Sequence, residues 1–193
     1  MDFTRSSPTV SGRPHDDEIA AYVKPDVDMV AGDDAVAALM AQRRQTTLLV
    51  ESLAEEQVRG LAYAPGKWTL KEVLGHIADD ERIYAYRALC IARADAAPLP
   101  SFDENRYVAA AGFEARSLAS LLAEYRSVRQ ATIALFSGLP AEAWRRRGIV
   151  CDWLPTSAAC SCMWLSRRAS QTPTMFAGRF PTWLLTHSRI QQL

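Results

Sequence analysis

The stretch "YAPGKWTLKEVLGHIADDERIYAYRAL", residues 63–89, decides the fold. Pro65 and Gly66 make a turn, and Thr69 and Glu72 stand at capping-box spacing, where a hydroxyl and a carboxylate satisfy the first free amides of a helix. Beyond them Leu70, Val73, Leu74, Ile77, Ile83, Tyr84 and Leu89 recur near a 3.6-residue period. The spacing predicts a long helix with one buried stripe, and such a stripe needs partner helices.

The partners are legible on both sides. Upstream, "DDAVAALMAQRRQTTLLVESLAEEQ", residues 33–57, offers Asp33 or Asp34 as a cap and Val36, Leu39, Met40, Thr47, Val50 and Leu53 as an apolar series. Downstream, Ser117 caps a third helix whose stripe is Leu118, Leu121, Leu122, Tyr125, Val128, Ala131 and Leu135, with Gly138 and Pro140 as its stop. Between helices two and three, "AAPLPSFDENRYVAAAGFEARS", residues 96–117, has two prolines, a glycine and no sustained period. It reads as a long excursion over the surface, and connections of this length are often functional. Three amphipathic helices leave an apolar groove open, so a fourth is required after residue 150. The fold expected is all-α, a four-helix bundle with a long connection between helices two and three, spanning residues 33–150. Residues 1–32, broken by Pro8, Pro14 and Pro25, are expected to form a flexible arm.

The 193 residues carry 22 basic and 22 acidic side chains, for a net charge of zero. That balance gives no electrostatic reason to expect nucleic acid or an anionic membrane as partner. The first residues lack the apolar run of a secretory signal, and no later run approaches the roughly 18 residues needed to span a bilayer. A cytoplasmic location with reduced thiols on the four cysteines is the expectation. Neither a glycine-rich phosphate loop nor a nucleophile elbow is present.

His76 is the candidate for metal chemistry. Asp79, Asp80 and Glu81 follow it, and Asp80 lies one helical turn on, along the same face. An imidazole oriented by nearby carboxylates suits a divalent metal, although a lone histidine on a helix also suits an ordinary surface or capping position.

With "PLPSFDENRYVAAAGFEARSLASLLAEYRSVRQATIALFSGLP", residues 98–140, the opening stretch resembles the DinB/YfiT-like superfamily of metalloenzymes, over roughly residues 36–150. The resemblance implies a four-helix bundle, commonly a homodimer, with one divalent metal (zinc, nickel or manganese) held by a histidine of the second helix and two from a late helix. It also implies a small-molecule substrate, with low-molecular-weight thiol S-transfer or hydrolysis as the activity. The motif "LGHIADDER" places the first metal ligand on His76. The late pair has no counterpart, because His15 and His187 are the only other histidines and neither stands in an H-x-x-x-H or E-x-H-H context. With one ligand of three, activity is expected to be impaired, and a non-catalytic bundle that serves as a binding module is the alternative.

The end of the chain reads differently. Of the 22 acidic residues only Asp152 follows residue 150, whereas Cys151, Cys160, Cys162, Trp153, Trp164 and Trp183 all fall there. Residues 151–193 therefore read as an atypical tail where the fourth helix is required, leaving that helix degenerate or missing. Met163 and Trp164 have unique codons, which read from their third bases give valine, then alanine or valine. Carried forward, that frame permits a histidine pair beneath Pro173–Met175. A single-nucleotide shift near residues 151–156 is the explanation adopted, with an inactive frameshift product as its functional consequence. A divergent tail that packs "AACSCMWL" into the groove and a zinc site from Cys160, Cys162 and His187 are the rival accounts.

Other residues admit two readings each. Trp68, Tyr84, Tyr86 and Tyr107 suit a substrate pocket or the core. Asp103 and Glu104 suit an approach to the metal cleft or a solvated loop. Arg145, Arg146 and Arg147 suit an anion grip or a solvated helix end favourable to the macrodipole.

Overall fold

The computed structural model describes residues 24–150 apart from Ala31, together with Pro14, Ile19, Ala21 and the backbone of Leu154–Ser157. Its elements are α1 (Lys24–Asp28), α2 (Ala35–Glu51), α3 (Glu55–Val58), α4 (Leu70–Ala92), α5 (Glu104–Ala111), α6 (Leu118–Ser137), α7 (Ala141–Trp144), β1 (Arg147–Val150) and β2 (Leu154–Ser157). The three long helices start where the caps stand. Asp34 Oδ1 accepts from the Ala37 amide at 2.9 Å and Ser117 Oγ from the Ser120 amide at 3.2 Å. Thr69 Oγ1 accepts from the Glu72 amide at 3.2 Å while Glu72 Oε2 accepts from the Thr69 amide at 2.8 Å. Each such cap stabilises its helix by about 1 kcal/mol.

Helix α6 packs against both α4 and α2. The apolar core divides into two clusters along the bundle. One gathers Leu39 of α2, Ala88 and Ile91 of α4, Ile133 and Phe136 of α6, and Trp144. The other gathers Leu49 and Val50 of α2, Leu70, Leu74 and Ile77 of α4, and Leu121 and Tyr125 of α6. Between them in sequence, on all three helices, buried positions are polar: Gln42 and Thr46, Asp80 and Glu81, Arg129 and Thr132.

That layer explains where the apolar stripes depart from expectation. On α6 the buried face passes through Arg129, Thr132, Ile133 and Phe136, so Val128 and Leu135 are half-buried and Ala131 is exposed. On α2, Gln42 and Thr46 are buried while Met40 is exposed, and on α4 Leu89 faces outward. A template that counts apolar residues alone rotates each helix away from its polar buried positions.

The connection between α4 and α6 is structured, in contrast to the irregular excursion expected. Asp103 caps α5 by accepting from the amides of Asn105 at 3.0 Å and Arg106 at 3.1 Å. Gly112, in the left-handed region at φ 64°, ends it without the Cβ clash another residue would meet. Val108 and Phe113 are buried against α4. A Cβ on Gly75 would lie 2.3 Å from the Phe113 ring, so this close approach requires glycine at position 75.

After α7 the chain turns into a hairpin, β1 pairing antiparallel with β2 from Arg147↔Ser157 to Val150↔Leu154. The pairing crosses residue 151, where the atypical tail was expected to begin. A parallel bridge from Val150 to Leu99 ties the hairpin to the connection. The expected fourth helix, and the tail beyond Ser157, lie outside the described residues. Of the expected N-terminal arm, Ile19, Val27 and Val30 are buried in the cluster that contains Leu39.

Candidate metal and ligand site

His76 sits on the second turn of α4, 7% exposed, with Trp68 beside it at 4.7 Å between ring centroids. The connection brings Glu104, the first residue of α5, across to it, with Nε2 of His76 4.0 Å from Oε2 of Glu104. Glu104 thus approaches the candidate ligand from the start of a helix while its side chain stays 43% exposed to solvent. Its neighbour Asp103 serves as the cap of α5 instead. One turn beyond His76, Asp80 is buried at 3% exposure, as the shared helix face requires.

The polar layer between the two apolar clusters is charged and buried. Arg129 and Glu81 have side chains only 1% exposed, with Nε of Arg129 2.7 Å from Oε1 and donating to Oε2 at 2.9 Å. The guanidinium also donates to Gln42 Oε1 and the Leu39 carbonyl, both at 3.4 Å, and lies 5.5 Å from the Tyr125 ring centroid. Burial pushes the Tyr125 phenol above its ordinary pKa. Arg129 was not singled out from the sequence, and Glu81 was named only as one of the carboxylates that follow His76, since a charged residue inside an apolar period reads as solvent-facing. Nearer the helix start, buried Lys71 pairs with Glu55 and donates to the Arg116 carbonyl at 2.8 Å, tying α3 and the end of the connection to α4.

The four weighed aromatics do not converge. Trp68 packs on His76, and Tyr84 is half-buried beside the cluster that contains Ile91. Tyr86 and Tyr107 are exposed and line a separate pocket between α4 and the connection. The three arginines also part company: Arg145 ends α7, Arg147 begins β1, and Arg146 donates to the carbonyl of Ala92, the last residue of α4. Arg146 thus meets the C-terminal end of the α4 dipole in a part-buried contact, where the expectation was a solvated end at the run itself. Cys160, Cys162 and His187 lie outside the described residues.

For a divalent ion, His76 and Glu104 are donors of the right kind, an imidazole and a carboxylate. In number they are two, and among the described residues no group of three or more His, Cys, Asp or Glu side chains converges as a metal site.

A helical bundle with a long structured connection and a histidine on its second long helix defines a class, and the comparisons agree with it. The DinB superfamily model matches residues 38–160, and the chain belongs to that superfamily. A solved structure, YfiT from Bacillus subtilis, described as a probable metal-dependent hydrolase with an unusual four-helix bundle topology, aligns at a TM-score of 0.62 and 17% identity. The alignment covers 89% of this chain and 98% of YfiT, so the two share the bundle fold. No curated protein sequence matches significantly. Among the described residues no helix is long and apolar enough to cross a membrane.

Proposed function

We propose that the protein is a divalent-metal-dependent enzyme of the hydrolase or thiol S-transferase type, acting on a small molecule, with His76 as a metal ligand and Glu104 as a second donor. Having two donors from the described bundle leaves its activity impaired relative to a three-ligand centre. The observation that carries this reading is the approach of Glu104 to within 4.0 Å of His76 Nε2. Zinc bonds to imidazole nitrogen and carboxylate oxygen are each about 2.0–2.2 Å long, so small side-chain adjustments let one ion span both groups. A bound ion would supply Lewis-acid polarisation and lower the pKa of a coordinated thiol or water. The chain's own part is to hold the imbedded imidazole against Trp68 and to bring Glu104 up on α5, whose position Gly75 and Phe113 fix.

Titration of the dialysed protein with cobalt, followed by its visible absorption and checked against zinc competition, tests this. One saturable site is expected, abolished by His76→Ala and weakened by about tenfold or more by Glu104→Gln. Absence of saturable binding, or binding indifferent to both substitutions, overturns the proposal. The rival, a non-catalytic binding module, is favoured by one specific feature: beyond His76 the sequence holds only His15 and His187. A cooperatively folded protein that takes up no metal would establish it.

A further inference from the structure

The pocket between α4 and the connection is assigned no role by the metal reading. It occupies about 290 Å³. At roughly 30 Å³ per water-sized group, it has room for about ten non-hydrogen atoms. Three rings line it: Tyr86 from α4, and Phe102 and Tyr107 from the connection, the last two 5.3 Å apart between centroids and tilted by 58°. Half-buried Ile83 adds an alkyl surface. Such walls accept a planar apolar body by offset or edge contact. Ile83 stands seven residues beyond His76 on α4, about 10 Å along the helix, so a ligand of this size fills the pocket without touching the candidate metal ligand.

The charged side chains of the pocket are already engaged. Arg87 is 3% exposed, and its Nη2 donates to the Pro100 carbonyl. Its guanidinium carbon lies 4.9 Å from the Tyr84 ring centroid and 5.7 Å from that of Phe102, so the group serves as packing for the aromatic wall. Arg82 is held by Asp79 at 3.0 Å and by Glu124 at 2.6 Å. On the tyrosine between them, the Tyr86 hydroxyl is hydrogen-bonded to the Cys90 thiol. A charged ligand entering here gives up hydration without meeting an uncommitted counter-charge, whereas a neutral ring loses little and meets three others. The walls therefore select for flatness and against charge.

We propose that this pocket binds a neutral monocyclic aromatic compound, with its ring held among Tyr86, Phe102 and Tyr107. The inference is independent of metal binding at His76, which the cobalt titration decides separately, so either can fail alone. Calorimetric titration of the full chain with benzyl alcohol tests it, with cyclohexylmethanol and benzoate as controls for flatness and charge. Benzyl alcohol is expected to bind saturably with a Kd of about 1 mM, the affinity range of ligands this small. Cyclohexylmethanol and benzoate should each bind at least about fivefold more weakly. Tyr107→Ala, at an exposed position, should weaken benzyl alcohol by about fivefold, whereas Tyr107→Phe and His76→Ala should leave it nearly unchanged. Circular dichroism confirms that each variant is folded. Equal binding of cyclohexylmethanol removes the rings from the account, and equal or tighter binding of benzoate shows that a cation in the pocket is available to an anion. Indifference to Tyr107→Ala, or loss with His76→Ala, places the ligand elsewhere. Any of these, or no saturation by about 10 mM benzyl alcohol, ten times the expected Kd, overturns the proposal.

Discussion

Glu81 and Arg82 are adjacent on α4 and both pair with α6, yet the two pairs occupy different solvents. Glu81 and Arg129 meet with side chains 1% exposed, whereas Arg82 and Glu124 meet at 46% and 23%. In water, charge attraction is screened and the ordering of two long side chains offsets much of it. In the dry interior the attraction is strong but so is the cost of desolvation, and the net gain over an apolar pair of similar volume is small or negative. The comparison separates what a contact contributes from what its loss costs. Arg129 reaches Glu81 on α4 and both Leu39 and Gln42 on α2. It thereby fixes the axial register of three helices at the level between the two apolar clusters. The outer pair joins α4 to α6 and, through Arg116, to the end of the connection.

The largest expected effect comes from breaking the inner pair on one side. Arg129→Met leaves Glu81 charged and enclosed, and should cost about 3–5 kcal/mol in urea unfolding at neutral pH. The double variant Glu81→Leu/Arg129→Met removes both charges and should recover most of that loss. If the double variant is no more stable than Arg129→Met alone, the inner pair contributes net stability over its apolar replacement, and the contrast with the outer pair is one of magnitude alone.

The caps of α2, α4 and α6 were legible because Asp34, Thr69, Glu72 and Ser117 act on backbone three residues away, and local chemistry is written locally. The buried layer was not. Gln42, Glu81 and Arg129 are inside because partners on other helices satisfy them, and nothing in each helix's own period announces a partner 48 or more residues distant. Within the candidate site, His76 stood out through its motif, and Glu104 was visible only as one of two adjacent acidic residues, Asp103 and Glu104, in a connection that also holds Glu114. Its approach to His76 follows from the cap at Asp103, which orients α5, and from the Gly75–Phe113 contact, which seats the connection. The pocket around Arg87 was hidden for the same reason as the polar layer, since Tyr86 and Arg87 meet Phe102 and Tyr107 only when the connection folds back.

A smaller effect is expected outside. Glu124→Gln should cost less than about 1 kcal/mol, and raising the salt concentration should shrink that cost while leaving the cost of Arg129→Met nearly unchanged. A salt-insensitive loss at Glu124 would mean that the outer network is shielded from solvent and the comparison fails.

The smallest effect is a matter of sign, and it sharpens the description of the outer network. Burial pushes Glu124 up, but hydrogen bonds from Arg116 and Arg82 outweigh it and hold the carboxyl below its ordinary value of 4.5. Glu55 is likewise held down, by its hydrogen bond to Lys71 and then by the Leu118 amide. A lowered folded-state pKa means that the unfolded chain takes up protons first. The stability these groups contribute is therefore present above pH 4.5 and is lost as the pH falls below it. Asp79 shares Arg82 with Glu124 but behaves in the opposite sense, because burial raises it above 3.8 and the pull of Arg82 offsets only part of that. Its protonation favours the folded state and softens the acid loss. Asp79→Asn should accordingly leave stability at pH 7 unchanged or slightly higher and make the decline in urea midpoint between pH 5 and pH 3 steeper. A shallower decline would show that the Arg82 hydrogen bond dominates at Asp79, as the bonds from Arg116 and Arg82 do at Glu124.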